Sequence, residues 1–209
     1  MVSIKETETA KERMEKRIPM TRPKPSPKPP MQTSDEANQR QLRMAKKQGE
    51  ALQRALEHMA QEVADDGGEQ PAGDYLIGYA VEQAEGMYHL RNGKLQWEAP
   101  TDEENVHVEV SVRDRADGRF IPALEVYATL LAEDTAREVG TNRQPFVWHP
   151  WLYHYGRNWQ VPKDGEYTMR VRIEVPDFPR HDKENGRRFA EPVEVEFTGV
   201  KVTTGREVE

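Results

Sequence analysis

The sequence contains no cysteine, which removes a whole class of functional sites. Without thiols there is no disulfide framework, thiolate nucleophile, iron–sulfur cluster or cysteine-based zinc site. Any transition metal must therefore be held by histidine, carboxylate or methionine side chains. Serine is almost as scarce, because only four occur in 209 residues and three of them precede residue 35. A serine nucleophile is not expected.

The chain also lacks a net positive charge and long apolar runs. The net charge is −7 at pH 7, and nucleic acids are bound by positive fields, so we expect no nucleic-acid partner. No apolar run approaches the roughly 20 residues that cross a bilayer, so no membrane span is expected. Residues 1–30 lack the apolar core of a secretory signal, which leaves a cytoplasmic location open for the chain as given.

The first 33 residues differ in composition from the rest of the chain. They are rich in lysine and arginine and contain TRPKPSPKPP at residues 21–30. Alternating prolines forbid a helix and favour an extended, polyproline-like spacer. We predict a flexible, basic, proline-rich tail over residues 1–33.

Residues 34–68 have the spacing of an amphipathic helix. Thr33 and Glu36 could form its capping box, and DDGG at residues 65–68 supplies a stop. The apolar stripe predicts either docking on the globular domain or self-association as a coiled coil, and both remain open. The stripe consists of Leu42, Ala45, Gly49, Leu52, Leu56, Met59 and Val63.

From Tyr75 onward the hydrophobic period changes to two. The segment VHVEVSV at residues 106–112 alternates valine with polar residues, which predicts a strand with one buried face. Similar runs occur in YLIGYAV, ALEVYATL, YTMRVRIEV and PVEVEF, separated by Asn-Gly and Asp-Gly turn signals. The predicted fold class is all-β: an immunoglobulin-like antiparallel β-sandwich over residues 75–203, with a short tail at 204–209.

Five of the six histidines lie in this predicted domain, two of them within the aromatic stretch FVWHPWLYHYGRNW at residues 146–159. Another precedes a glutamate by two positions, so both side chains leave the same face of a strand. Imidazole and carboxylate together suit borderline divalent ions, copper most tightly and then nickel and zinc. The alternative is that these histidines pack in the core or on a solvated face. The candidate metal ligands are His107, Glu109, His149, His154 and His181.

The order of several segments resembles a known family. These are HVE, IPALEV, HYG with a tryptophan shortly after it, DGEYTMRVRIEVP, RHDKENG and EPVEVEF, between about residues 75 and 202. Together they are similar to the periplasmic iron-transport accessory proteins. The resemblance implies a small immunoglobulin-like homodimer outside the cytoplasmic membrane that binds copper and supplies iron to an inner-membrane permease.

The resemblance also implies ligands. The family's HxE motif falls on His107 and Glu109, its HYG histidine on His154, and the histidine of its acidic loop on His181. The family has a methionine ligand upstream of HYG, but residues 147–153 contain none. His149 either replaces this methionine, which would shift preference from Cu(I) toward Cu(II) or zinc, or packs against the tryptophans.

The function predicted from the sequence is metal binding without catalysis. The expected ion is copper, with iron or zinc as further possibilities, and the expected protein partners are a second copy and a membrane iron permease. The alternative is a non-catalytic β-sandwich that binds a glycan or a protein through its aromatic loop. An enzyme is the weaker option, since the chain has no HExxH, GxSxG or phosphate-binding glycine loop.

Overall fold

The computed structural model describes residues 30–207. Residues 1–29, most of the predicted basic tail, lie outside the described residues. Helix α1 spans Gln39–His58 and continues as a π-helical stretch, Met59–Val63. The strands are β1 Asp66–Ala72, β2 Tyr75–Glu82, β3 Met87–Arg91, β4 Lys94–Glu98, β5 Val106–Asp114, β6 Val126–Ala132, β7 Arg137–Gln144, β8 Phe146–Trp148, β9 Tyr153–Trp159, β10 Gly165–Ile173 and β11 Val193–Val202.

The strands form two sheets that pack face to face. One sheet has the order β1-β2-β5-β9-β8 and the other β11-β10-β6-β7, and neighbouring strands in both are antiparallel. Strands β3 and β4 form a separate hairpin, whose turn at Asn92 and Gly93 has positive φ angles of 50° and 78°. The predicted antiparallel sandwich and the predicted Asn-Gly hairpin turn are therefore confirmed. Within residues 30–207, no helix is long and apolar enough to cross a bilayer.

The sandwich begins nine residues earlier than the predicted start at Tyr75. Strand β1 pairs with β2 from Asp66 to Ala72, so the DDGG segment, predicted as a helix stop, already enters the sheet. The helix is also shorter than predicted. Its capping box is formed by Asn38 and Gln41, in place of the predicted Thr33 and Glu36.

Strand β5 is buried along its whole length. Its valines, at positions 106, 108, 110 and 112, are fully buried in the core between the sheets. The polar residues between them face the other way, and they are also buried. Arg113 illustrates the reason: only 1% exposed, it bonds to Glu69 on β1 and to Gln53 on α1. The outer face of β5 is therefore polar, and other parts of the protein cover it and exclude solvent from it.

Helix α1 lies over this outer face, which decides between the two predicted roles of its apolar stripe. Gly49 is buried, and a Cβ added there would collide with the backbone carbonyl of Asp117. Near the end of the helix, Leu56 and Met59 pack with Ala80 of β2 and with Leu152. The stripe docks on the sandwich, as one of the two interpretations predicted.

The chain on either side of the sandwich is also held to it. Asn185 exchanges hydrogen bonds with the backbone of Gln32, and Ser34 donates to Asp182. At the other end, residues 205–207 run beside Ala84, with two backbone hydrogen bonds to it. The predicted C-terminal tail therefore lies against the domain through Glu207.

The packing of Gly49 gives a prediction of stability. In an exposed helix, Gly49→Ala would stabilise by up to about 1 kcal/mol, because alanine has the higher helix propensity. Here we expect destabilisation by about 1–3 kcal/mol, since the methyl group has no space against Asp117. Chemical denaturation measures the change. The exposed neighbouring variant Gln48→Ala is the control, and a more stable Gly49→Ala protein would contradict docking through this position.

Candidate metal centre

Two neighbouring strands bring three of the predicted ligands together. On β5, His107 and Glu109 point to the outer face, and β9 lies beside them with Asn158 opposite His107 and Gly156 opposite Glu109. His154 lies two residues before Gly156 and so shares that face. The ligand atoms of His107, Glu109 and His154 all lie within 4.8 Å of one another. All three side chains are buried.

Asn158 fixes the orientation of the His107 ring. His107 Nδ1 lies 2.9 Å from Asn158 Oδ1, so in the tautomer that donates this hydrogen bond, Nε2 keeps its lone pair. The same Asn158 accepts from the Glu85 backbone N–H at 3.3 Å and donates to the Glu85 carbonyl at 2.8 Å. Asn158 thus sets the tautomer and the direction of the His107 ring, as hydrogen-bond partners of metal-binding histidines commonly do.

Gly156 provides the space in which the two imidazoles sit. A Cβ at this position would lie 2.9 Å from His107 Nε2 and 2.9 Å from His154 Cδ2. Its φ angle is not among the positive ones, so its role is to leave room rather than to turn the chain. This explains why a glycine follows His154 at a spacing of two in HYG.

Three ring nitrogens of His107 and His154 have no hydrogen-bond partner and are available to a metal ion. His107 Nε2 and both ring nitrogens of His154 are buried and make no hydrogen bond, although His154 Nε2 lies 3.2 Å from Glu109 Oε1. Buried polar atoms are nearly always paired, so these nitrogens need another partner. Neutral imidazole and carboxylate together are a ligand set that copper and zinc accept. The donor set therefore fits a borderline divalent ion.

Burial also shifts the pKa values of the three candidate ligands in the absence of a metal. It lowers the pKa of His107 to about 4, and burial with the neighbouring His107 and His149 lowers the pKa of His154 to about 3. Burial, reinforced by the carboxyl groups of Glu82 and Glu85, raises the pKa of Glu109 well above its usual range. At neutral pH the two imidazoles are therefore already neutral, whereas burial disfavours the ionised form of the Glu109 carboxyl group.

His149 lies next to this group but outside its closest contacts. Its ring centroid is 6.2 Å from that of His154 and 5.6 Å from that of Trp151, to which it is edge-on. Its Nδ1 is buried without a hydrogen-bond partner, and burial lowers its pKa. His149 thus neighbours the site and contacts a tryptophan, and its role as a ligand stays a prediction.

His181 lies in another part of the chain's surface. Its side chain is 90% exposed and lies 3.1 Å from Glu36 Oε2. It lines a cleft of about 420 Å³ together with Asp114, the last residue of β5. Because Asp114 is seven residues along β5 from His107, the two ends of the strand are about 23 Å apart at about 3.3 Å per residue. Within one chain, His181 is not brought to the other candidate ligands.

The aromatic stretch divides between the core and the surface. Tyr155 and Trp159 are buried in the sandwich, whereas Phe146, Trp148, Trp151 and Tyr153 are exposed by 42–69%. Two of the exposed rings, Phe146 and Trp148, line a cleft of about 860 Å³ that also borders His154, His149 and the β3–β4 hairpin. The cleft gives His154 a mixed aromatic and polar entrance.

Sequence reasoning missed three residues of this centre. Asn158 and Gly156 lie on the same face of β9 as His154. The spacing of two in HYGRNW would have predicted this shared face if the segment had been assigned to a strand. Glu85, whose Oε1 lies 3.4 Å from His107 Nε2, could not be found in this way, because it lies in a loop after β2. Burial and then the charges of Glu82 and Glu207 raise its pKa to about 7.

Comparison with known proteins agrees with the sandwich fold. FetP from uropathogenic Escherichia coli strain F11, recombinantly expressed in the periplasm of another E. coli strain, is 22% identical, with a TM-score of 0.54 over 66% of this chain and 93% of FetP. Copper-reconstituted P19 from Campylobacter jejuni is 21% identical, with a TM-score of 0.56 over 67% of this chain and 96% of P19.

A copper-bound variant of FetP is likewise 21% identical, with a TM-score of 0.54 over 65% of this chain and 95% of that one. These likenesses show a shared fold. No curated protein sequence matches the chain. The sequence model of a family described as Fe2+ transport protein matches residues 59–202, well over half of the chain. The chain therefore belongs to the Fe2+ transport protein family.

Proposed function

We propose that this protein binds one copper ion through His107, His154 and Glu109 and supports iron uptake without catalytic turnover. The observation that carries the proposal is the set of buried, unpaired imidazole nitrogens beside a carboxyl group. Family membership supplies the iron-transport context, and the solved structures of FetP and P19 with copper support the choice of ion. Iron is the cargo in this proposal, and zinc is the competing ion that the same ligands accept.

The chain's own residues hold and shield the ion. His107 binds through Nε2, because Asn158 occupies Nδ1, and Gly156 leaves both imidazoles the space they need. Glu109 would bind in its ionised form and supply the negative charge, which burial disfavours in the absence of a cation. Copper, when bound, would supply a one-electron redox couple at this centre.

His149 is proposed as the ligand that stands in for the family's methionine. It lies in the loop between β8 and β9, and its unpaired Nδ1 is buried beside His154. Exchanging a thioether for an imidazole favours Cu(II) over Cu(I). This chain should therefore hold its copper in the oxidised state more firmly than a methionine-containing relative.

We propose a homodimer that delivers His181 to the site of the other copy. The resemblance implies that this histidine is a ligand, but its own chain places it near the far end of β5. Its exposed side chain leaves it available to a second copy. Symmetric pairs of chains form isologous contacts, so one interface would complete two sites.

An extracytoplasmic location and delivery to a membrane iron permease complete the proposal. Both come from the family context.

The aromatic cleft beside His149 supports a second candidate, a glycan- or protein-binding module, since exposed tryptophan and tyrosine are typical of such surfaces. That function would not require a metal, which separates the two candidates.

Copper titration of the chelator-stripped protein tests the main proposal. We expect one tightly bound Cu(II) per chain, a loss of binding by at least about tenfold in His154→Ala, and unchanged binding in His89→Ala, an exposed histidine of the hairpin. His181→Ala should weaken binding only under conditions where the protein is dimeric. Isothermal titration with parallel analytical ultracentrifugation measures both quantities. Copper affinity that is unchanged in His154→Ala would contradict the proposal and would favour the glycan-binding or scaffold function.

Gly156→Ala tests the space between the imidazoles. The added methyl group would press on His107 and His154, so we expect copper affinity to fall by at least about tenfold while the sandwich stays folded. Copper binding and circular dichroism are measured on the same sample. Gly140→Ala is the matched control, because a Cβ there has space. Unchanged affinity in Gly156→Ala would argue against both imidazoles as ligands.

The pH dependence of binding should follow the carboxyl group. The pKa values of His107 and His154 are about 4 and 3, so protons do not compete for these imidazoles at pH 6–8. Glu109, whose pKa is raised, must lose a proton. Copper affinity should fall as the pH drops below this raised pKa, by about tenfold per pH unit for one proton. Glu109→Gln should flatten this dependence, and calorimetry in two buffers counts the protons released.

A further inference from the structure

The segment that leads into helix α1 crosses the loop that carries His181. We call this segment, residues 30–38, the N-terminal strap. Asn185 of the loop accepts from the backbone N–H of Gln32 and donates to its carbonyl, both at 2.9 Å. The Ser34 hydroxyl donates to Asp182 at 2.8 Å. These partners are 153 and 148 residues apart in the sequence, so the tertiary fold brings the strap and the loop together.

Backbone hydrogen bonds order both sides of this contact. The Ser34 hydroxyl oxygen accepts from the backbone N–H groups of Glu36 at 3.2 Å and Ala37 at 3.1 Å, which is a turn typical of serine. In the loop, a carboxylate oxygen of Asp182 accepts from the backbone N–H of Asn185 at 3.0 Å. Ser34 therefore places Glu36 and at the same time joins the strap to the loop.

This arrangement puts a carboxylate beside one ring nitrogen of His181. Glu36 Oε2 lies 3.1 Å from His181 Nδ1, although the histidine side chain is 90% exposed. A carboxylate can only accept a hydrogen bond, so it favours the proton on Nδ1 and leaves the lone pair on Nε2. Metal-binding histidines commonly have a carboxylate in this position, which fixes the tautomer and the direction of the ring.

Neither family membership nor fold stability accounts for this contact. The family model matches residues 59–202, so the N-terminal strap lies outside it. An ion pair between exposed side chains contributes little to the free energy of unfolding, and the Glu36 side chain is 48% exposed. We therefore expect the effect of Glu36 on the imidazole itself.

We propose that Glu36 is the positioning residue of His181: it holds the proton on Nδ1 and leaves Nε2 free to bind the metal ion of a second copy. The inference rests on the proposed homodimer, in which His181 completes the site of the other copy. Glu36 acts on His181 as Asn158 acts on His107, so both histidines bind through Nε2. Ordering the exposed ring before the two copies meet lowers the entropic cost of its binding.

The tautomer of His181 is measured in the metal-free, full-length protein. Long-range proton–nitrogen correlation NMR distinguishes the two tautomers at a pH of about 8.5, where imidazole in water is neutral. We expect the Nδ1–H tautomer in the wild type and a shift toward the Nε2–H tautomer, which free histidine prefers, in Glu36→Ala. Asp35→Ala is the matched control, because it removes the same charge from the neighbouring exposed position. A tautomer that is the same in Glu36→Ala as in the wild type would overturn the proposal.

The copper affinity of the dimeric protein tests the consequence for binding. Glu36→Ala should weaken copper binding by about tenfold, as is typical for a residue behind a metal ligand, and Asp35→Ala should leave it unchanged. Because Glu36 acts through His181, Glu36→Ala should have no further effect in a His181→Ala background. An equal loss in both backgrounds would refute the positioning role. If the wild type binds no copper but Glu36→Ala shifts the tautomer, the copper proposal fails and the orientation of His181 by Glu36 stands.

Discussion

The burial of both faces of β5 is the constraint on which the rest of the structure depends. An edge or surface strand exposes its polar face to water, but here helix α1 and the neighbouring strands cover that face. Each polar side chain on it must then find a partner within the protein. Arg113 bonds to Glu69 and Gln53 but keeps its Nε unpaired, and His107 Nε2 and both ring nitrogens of His154 have no hydrogen-bond partner at all. The candidate metal centre lies where this internal pairing is least complete.

The same burial explains the electrostatics of the centre. Removing water disfavours charge on every group, so the pKa values of both histidines fall and the pKa of Glu109 rises. The proposed nitrogen ligands would therefore need no deprotonation at neutral pH. The proposed carboxylate ligand is the one whose ionised form the fold disfavours until a cation is bound.

Much of this arrangement was contained in the sequence. Alternation in VHVEVSV predicted β5, and the HxE spacing placed His107 and Glu109 on one face of it. The family resemblance, and not the spacing, singled out His154. Sequence periodicity could not predict that the polar face of β5 is covered, because the cover comes from a helix 50 residues away. It could not find Glu85 either, since that residue reaches the site through a loop. The location of His181 depends on the path of a long loop, which local pattern does not determine.

Asn158 joins the imidazole of His107 to the loop that follows β2. One carboxamide holds the ring of His107 and, through two hydrogen bonds, the backbone of Glu85. A shift of this loop would therefore pull on the ring of His107. Thermodynamic linkage makes such an influence reciprocal, so a ligand that moves the loop and an ion on the proposed imidazole ligands would change each other's affinity by the same factor.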